Sequence, residues 1–163
     1  DTVKSSSTPE VRLVNALDTL GAVFRAAVRR PYTDFSYEVL EVLCGQDSSD
    51  EFLAEVLTTL GGLMAGSHTP VCLASATQCL LLLAVALPNL HENVLLDHFM
   101  QASADATHDA LTGLLQQRAL HRTVTGDAVT LLVILAQYQR YDTRNPFLAR
   151  LRLLAVEAVN GPG

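Results

Sequence analysis

Nine consecutive apolar residues, Cys79 to Leu87, constrain this chain more than any other feature. A helix that is apolar on every side has no stripe to offer to water, so other elements must surround it. Val85 is the one β-branched residue of the run, and Leu and Ala favour helix. The run covers less than half of the roughly 20 residues a membrane crossing needs. The polar pair Thr77-Gln78 precedes it. The expectation is a central, buried helix of a many-helix domain, with no transmembrane segment.

The flanking sequence supplies the other helices. Thr8-Pro9-Glu10 opens a first helix, with Thr as N-cap, Pro in the first turn and an acid at the positive end. Leu13, Ala16, Leu17, Leu20, Phe24 and Ala27 follow at helical spacing, and Pro31 stops the run. A shorter helix fits 34–44, with Gly45 as its stop. Ser48-Ser49-Asp50-Glu51 opens a third, running to Gly66. Thr69-Pro70 opens the fourth, running to Leu87. Asn89 and Glu92 have capping-box spacing ahead of a short helix through Val94, Leu95, Phe99 and Met100. Ser103 opens another, through Ala110, Leu111 and Leu114 to Leu120. The next starts at Thr125-Gly126-Asp127 or earlier, near Arg122. Asn145-Pro146 opens the last. About eight helices and no strand result, an all-α chain.

Composition agrees. Hydrophobic residues make up 49% of the 163 and charged residues 17%, with no Trp. A chain of this length builds a core without staples. The three cysteines, Cys44, Cys72 and Cys79, are too few for a disulfide framework and are read as small buried side chains in a reducing compartment. The first residue is Asp1, and Gly161-Pro162-Gly163 closes the chain. We expect a fragment of a longer protein, with residues 1–7 a disordered tail and 8–160 a single domain.

A 40-residue offset places Leu13–Gly21 over Leu53–Gly61, with Leu, Leu, Thr, Leu and Gly coinciding. HEAT and armadillo units of two or three helices have about this period. The expectation is therefore an armadillo/HEAT-like α-solenoid, with a closed helical bundle as the alternative.

Charge is arranged by region. Net charge is −6, and no Lys or Arg lies between Arg30 and Arg118, a stretch that holds eleven acids. Such a stretch repels phosphate backbones, so nucleic acid is not expected as a partner. It is either a solvated surface or a docking face for a basic partner.

Catalytic and metal motifs are missing. His91-Glu92 starts like a zinc-protease motif, but Leu95 stands where the second His is required. His91 and His98 complete no ligand set, and His68, His108 and His121 are scattered over a loop and helix ends. Asp105 and Asp109, and Glu51 and Glu55, are carboxylate pairs in polar surroundings. Gly61-Gly62 and Gly66 follow no strand and form no phosphate loop. Gly21 and Gly61 are read as places where a neighbouring helix backbone comes close. No catalytic, cofactor or metal residues are expected, and the chain is read as non-enzymatic. For partner binding, Tyr138, Arg140, Tyr141 and Arg144 form an aromatic–Arg cluster of the kind enriched at interfaces. The competing reading is a helix end covered by its own neighbours.

Three stretches carry a family resemblance: Arg12 to Leu20, Leu80 to Met100, and Asp127 to Tyr141 followed by Asn145-Pro146-Phe147. Their order and spacing resemble the N-terminal region of the armadillo-like helical domain-containing proteins, over roughly residues 11–152. The resemblance implies a cytoplasmic, Golgi-associated adaptor supporting Golgi organisation and secretion. Implied partners are a phosphatidylinositol 4-kinase, phosphatidylinositol 4-kinase beta in particular, and Golgi trafficking factors. It implies no catalytic residues. The alternatives are a structural module inside a larger solenoid and a helical enzyme.

Overall fold

The computed structural model describes residues 7–28, 45, 48–86, 93–101, 104–117, 122–139 and 145–160. They form seven helices: α1 (Ser7–Val28), α2 (Ser49–Ala65), α3 (Pro70–Ala84), α4 (Val94–Gln101), α5 (Ala104–Gln116), α6 (Arg122–Gln137) and α7 (Pro146–Asn160). No strand occurs among the described residues. The expected short helix at 34–44 lies outside them, as do Cys44, His91 and His121.

The helices start where local chemistry dictates. Thr69 has extended backbone, and its hydroxyl accepts from the Cys72 amide at 3.4 Å, with Pro70 in the first turn of α3. Gly45 takes φ +87°, and its carbonyl accepts from the Ser48 amide at 3.0 Å, a turn that feeds α2. Asn93 caps α4, its Oδ1 accepting from the Leu96 amide at 3.1 Å. The expected Asn89–Glu92 box lies outside the described residues. The earlier of the two expected starts holds for α6, and α3 ends at Ala84, with Val85 and Ala86 in the turn that follows. The apolar run therefore outlasts its helix.

Two rows organise the stack. α1, α3 and α6 pack side by side in one, and α2, α5 and α7 in the other. The rows meet where α2 lies on α3, α5 on α6 and α6 on α7, while α4 fits against α2, α3 and α5. α1 and α3, neighbours in the first row, run parallel. Near the start of both helices Glu10 of α1 meets Thr69, which caps α3; further along Ser75 donates to Asp18 at 2.8 Å, and the Cys79 thiol donates to the Leu17 carbonyl at 3.2 Å. An up-and-down bundle would place antiparallel helices side by side, so this parallel arrangement marks a solenoid. The repeating unit is α2–α3 followed by α5–α6. The 40-residue match seen in the sequence superimposes α1 on α2, which belong to different rows, and so relates no equivalent helices.

α3 is the interior helix that the apolar run demands. Cys72, Leu73, Ala76, Thr77, Cys79, Leu80, Leu83 and Ala84 are all buried on one broad face, flanked by the partly buried Leu81 and Leu82. Burying one Leu of this kind contributes roughly 1.5–3 kcal/mol. Thr77, polar and fully buried, is satisfied by the Leu73 carbonyl at 2.7 Å. Cys72 and Cys79 are free and buried, as expected, and burial with Asp18 nearby pushes the Cys79 thiol up to about 11. Such a thiol stays protonated and inert at neutral pH. Gly21 and Gly61 differ from expectation. A Cβ at Gly21 would meet side chains of Arg25, Cys79 and Leu82 at 3.6–3.7 Å, and one at Gly61 would meet the Thr107 hydroxyl at 3.6 Å. These are ordinary side-chain contacts, with no close backbone.

Candidate functional site

Tyr138, the aromatic end of the expected surface cluster, is only 1% exposed. It stands just past the end of α6, and its phenol turns inward to the start of α4. The hydroxyl donates to the Asp97 carboxylate at 2.7 Å and accepts from the Asn93 amide at 3.2 Å. Burial, then the hydrogen bond to the Asp97 side chain, raise its pKa above the ordinary phenol value. Tyr138 is thus a buried brace between α6 and α4 and presents no surface; the covered helix end described above is what the structure contains at this position. Arg140, Tyr141 and Arg144 lie outside the described residues.

One set of exposed features lies at the α7 end. A groove of about 340 Å³ runs between α5 and α7, lined by His108, Asp109, Thr112, Gly113, Gln116, Arg150, Leu153 and Leu154. Arg150 holds its α5 rim, pairing with Asp105 at 3.1 Å and with Asp109. The two carboxylates are more than 70% exposed, in the polar surroundings that their sequence context implied. Beneath them His108 is buried in the middle of α5, not at a helix end. Its ring faces Phe147 with centroids 6.1 Å apart, and its Nε2 has no hydrogen-bond partner among the described residues. Burial and then the Arg150 charge lower its pKa below the usual 6.5. On the far side Leu153, Leu154 and Val156 expose apolar side chains, Leu153 by 63%. A second groove of about 350 Å³ crosses the other row, lined by Arg25 of α1, by Gln78, Leu81 and Leu82 of α3, by Val85 just past its end, and by Asp127 and Thr130 of α6.

A third constellation was not legible in the sequence. The fold gathers Glu10 in the first turn of α1, His68 in the α2–α3 turn and Cys72 in the first turn of α3. One ligand-type atom from each lies within 4.8 Å of the other two. The Thr69 amide donates to Glu10 Oε1 at 2.7 Å, and His68 Nδ1 is 4.0 Å from the same oxygen. That amide bond, foremost, holds the Glu10 carboxyl below its ordinary range, while burial and then Glu10 push the Cys72 thiol up. Sixty-odd residues separate Glu10 from Cys72. The one sequence sign was the shared Thr-Pro opener of α1 and α3, which the parallel packing lays side by side.

No helix among the described residues is long and apolar enough to cross a membrane. No protein-family model and no solved structure matches the chain. Curated relatives do match. The chain is 26% identical over 154 residues to armadillo-like helical domain-containing protein 3 of Homo sapiens, covering 94% of this chain and 22% of that protein. The Danio rerio protein of the same name is 24% identical over 145 residues, 89% of this chain and 21% of the relative. That of Xenopus laevis is 25% identical over 155 residues, 94% and 22%. The chain spans about a fifth of the length of these relatives. In sequence, the chain is similar to a part of armadillo-like helical domain-containing protein 3, and its all-helical solenoid is consistent with that name.

Proposed function

We propose that this chain is a non-catalytic protein-interaction scaffold of a cytoplasmic, Golgi-associated adaptor, and that it engages a phosphatidylinositol 4-kinase, phosphatidylinositol 4-kinase beta by preference. The observation that carries the scaffold reading is the outer face of α7. Leu153, Leu154 and Val156 stand exposed beside a groove whose opposite rim is a fixed Arg150–Asp105–Asp109 ion cluster. An apolar strip with a charged rim suits an amphipathic partner segment laid against the helices. The kinase and the Golgi setting rest on the family resemblance of the sequence. The basic-aromatic residues Arg140, Tyr141 and Arg144 are retained as further contacts on their sequence alone, with Tyr138 as the buried post that anchors the end of α6.

The same apolar strip supports a second reading, a structural module whose α7 face is a seam with another helix of a larger solenoid. Two measurements separate them. The isolated chain is incubated with cytosol and its captured proteins identified by mass spectrometry, and direct binding to purified phosphatidylinositol 4-kinase beta is followed by interferometry. Binding that Leu153→Asp with Leu154→Asp weakens at least tenfold, without loss of helical circular dichroism, supports the adaptor. A folded chain that binds neither the kinase nor Golgi trafficking factors supports the module.

A further inference from the structure

We propose that Glu10, His68 and Cys72 form a binding site for a borderline first-row divalent metal ion, with zinc the preferred occupant. The donor set is a carboxylate oxygen, an imidazole nitrogen and a thiol sulfur, the three side-chain types that zinc takes. Tetrahedral zinc bonds of about 2.0–2.3 Å place donors roughly 3.3–3.8 Å apart. Here they lie within 4.8 Å, and the one ion-pair distance is 4.0 Å. Closing on an ion thus needs shifts of about 1 Å or less, within the side-chain freedom of Glu10 and His68, which are about one-third exposed.

The surroundings organise the donors. The Thr69 amide fixes one carboxylate oxygen of Glu10, an orienting contact of the kind that supports metal ligands. Gly66 leaves room for the His68 ring: a Cβ there would stand 2.9 Å from its Cδ2 and Nε2. Cys72 Sγ belongs to a fully buried residue on a helix whose first turn is fixed by the Thr69 cap. Exposure on the Glu10–His68 side gives an entry path and room for a water as fourth ligand. Ionised Glu10 and a Cys72 thiolate neutralise a divalent ion, and one proton leaves the Cys72 thiol for each ion bound. Thiolate and imidazole together favour zinc over magnesium or calcium, which prefer all-oxygen shells. The bound ion would tie the start of α1 to the α2–α3 hairpin, locking the first row at its N-terminal end. This inference is independent of the adaptor reading.

Cobalt(II) titration of the full chain tests it. The expected result is a thiolate-to-cobalt charge-transfer band in the near ultraviolet with tetrahedral visible bands, saturating at one ion per chain and abolished by added zinc. Cys72→Ser removes the charge-transfer band, whereas Cys79→Ser and Cys44→Ser keep it. His68→Gln, at a partly exposed turn where folding is not at stake, weakens cobalt binding at least tenfold. Absence of a charge-transfer band in the folded chain, a band that persists in Cys72→Ser, or unchanged affinity in His68→Gln each overturns the site.

Discussion

Asn145 joins α6 to α7 through one side chain, and its replacement tests the account of the seam. Its Nδ2 donates to the Leu135 carbonyl at 3.0 Å and the Tyr138 carbonyl at 2.6 Å, while its Oδ1 accepts from the Leu148 amide at 2.9 Å. It caps the end of one helix and the beginning of the next, at 5% exposure. Asn145→Ala removes an N-cap, which costs about 1 kcal/mol. It also leaves two carbonyls without this donor, at about 1 kcal/mol each taken at the low end for a helix terminus. The expected loss is about 3 kcal/mol. A domain stable by about 5–15 kcal/mol survives that loss. At a denaturant slope of about 2 kcal/mol/M the urea midpoint falls by about 1.5 M, read by circular dichroism. Asn145→Ser keeps only the cap and should lose about 2 kcal/mol. Asn145→Asp is the decisive variant. If only the cap mattered, a carboxylate at the helix start would be neutral or stabilising. If both ends matter, it sets a negative oxygen against two carbonyls and loses at least about 2 kcal/mol. An Asp variant as stable as the parent would refute the double-cap reasoning.

Three further outcomes are expected. Tyr138→Phe deletes the hydroxyl that serves Asp97 and Asn93, and should lower stability by about 1–3 kcal/mol in urea melts while leaving partner affinity unchanged; a weakened affinity in a fully folded variant would restore Tyr138 to the surface. Gly62 lies inside α2 with open space where a Cβ would stand, so Gly62→Ala should raise stability by about 1 kcal/mol, checked by thermal unfolding. His108 has a folded pKa below its unfolded value of 6.5, through burial and then Arg150, against the opposing pull of Asp109 and Asp105. Above 6.5 both states are neutral at this residue. As pH falls through and below 6.5, the unfolded chain binds a proton that the folded chain resists, so stability drops. His108→Gln should flatten the stability profile between about pH 7 and 5, and an unchanged slope would remove His108 as its source.

The sequence by itself determined the elements. Pro9, Pro70 and Pro146 mark helix starts because their missing amide and fixed φ suit a first turn. The apolar run from Cys79 determined that one helix would be interior, since no arrangement exposes it without loss of burial energy. Boundaries were less secure where pattern and geometry diverge, as at Ala84, where the turn begins although the residues remain apolar. What only the tertiary structure decided is which helices become neighbours. Periodicity reports one face of one helix and is blind to the partner across it. It could therefore pair α1 with α2 by a chance register of Leu, although they belong to different rows. The same blindness left Tyr138 open between an exposed cluster and a covered helix end, because a tyrosine at a helix end reads alike whether its hydroxyl meets water or Asp97. It also hid the meeting of Glu10, His68 and Cys72. That meeting exists only because α1 and α3 pack in parallel with their first turns side by side, a long-range contact that no local spacing encodes.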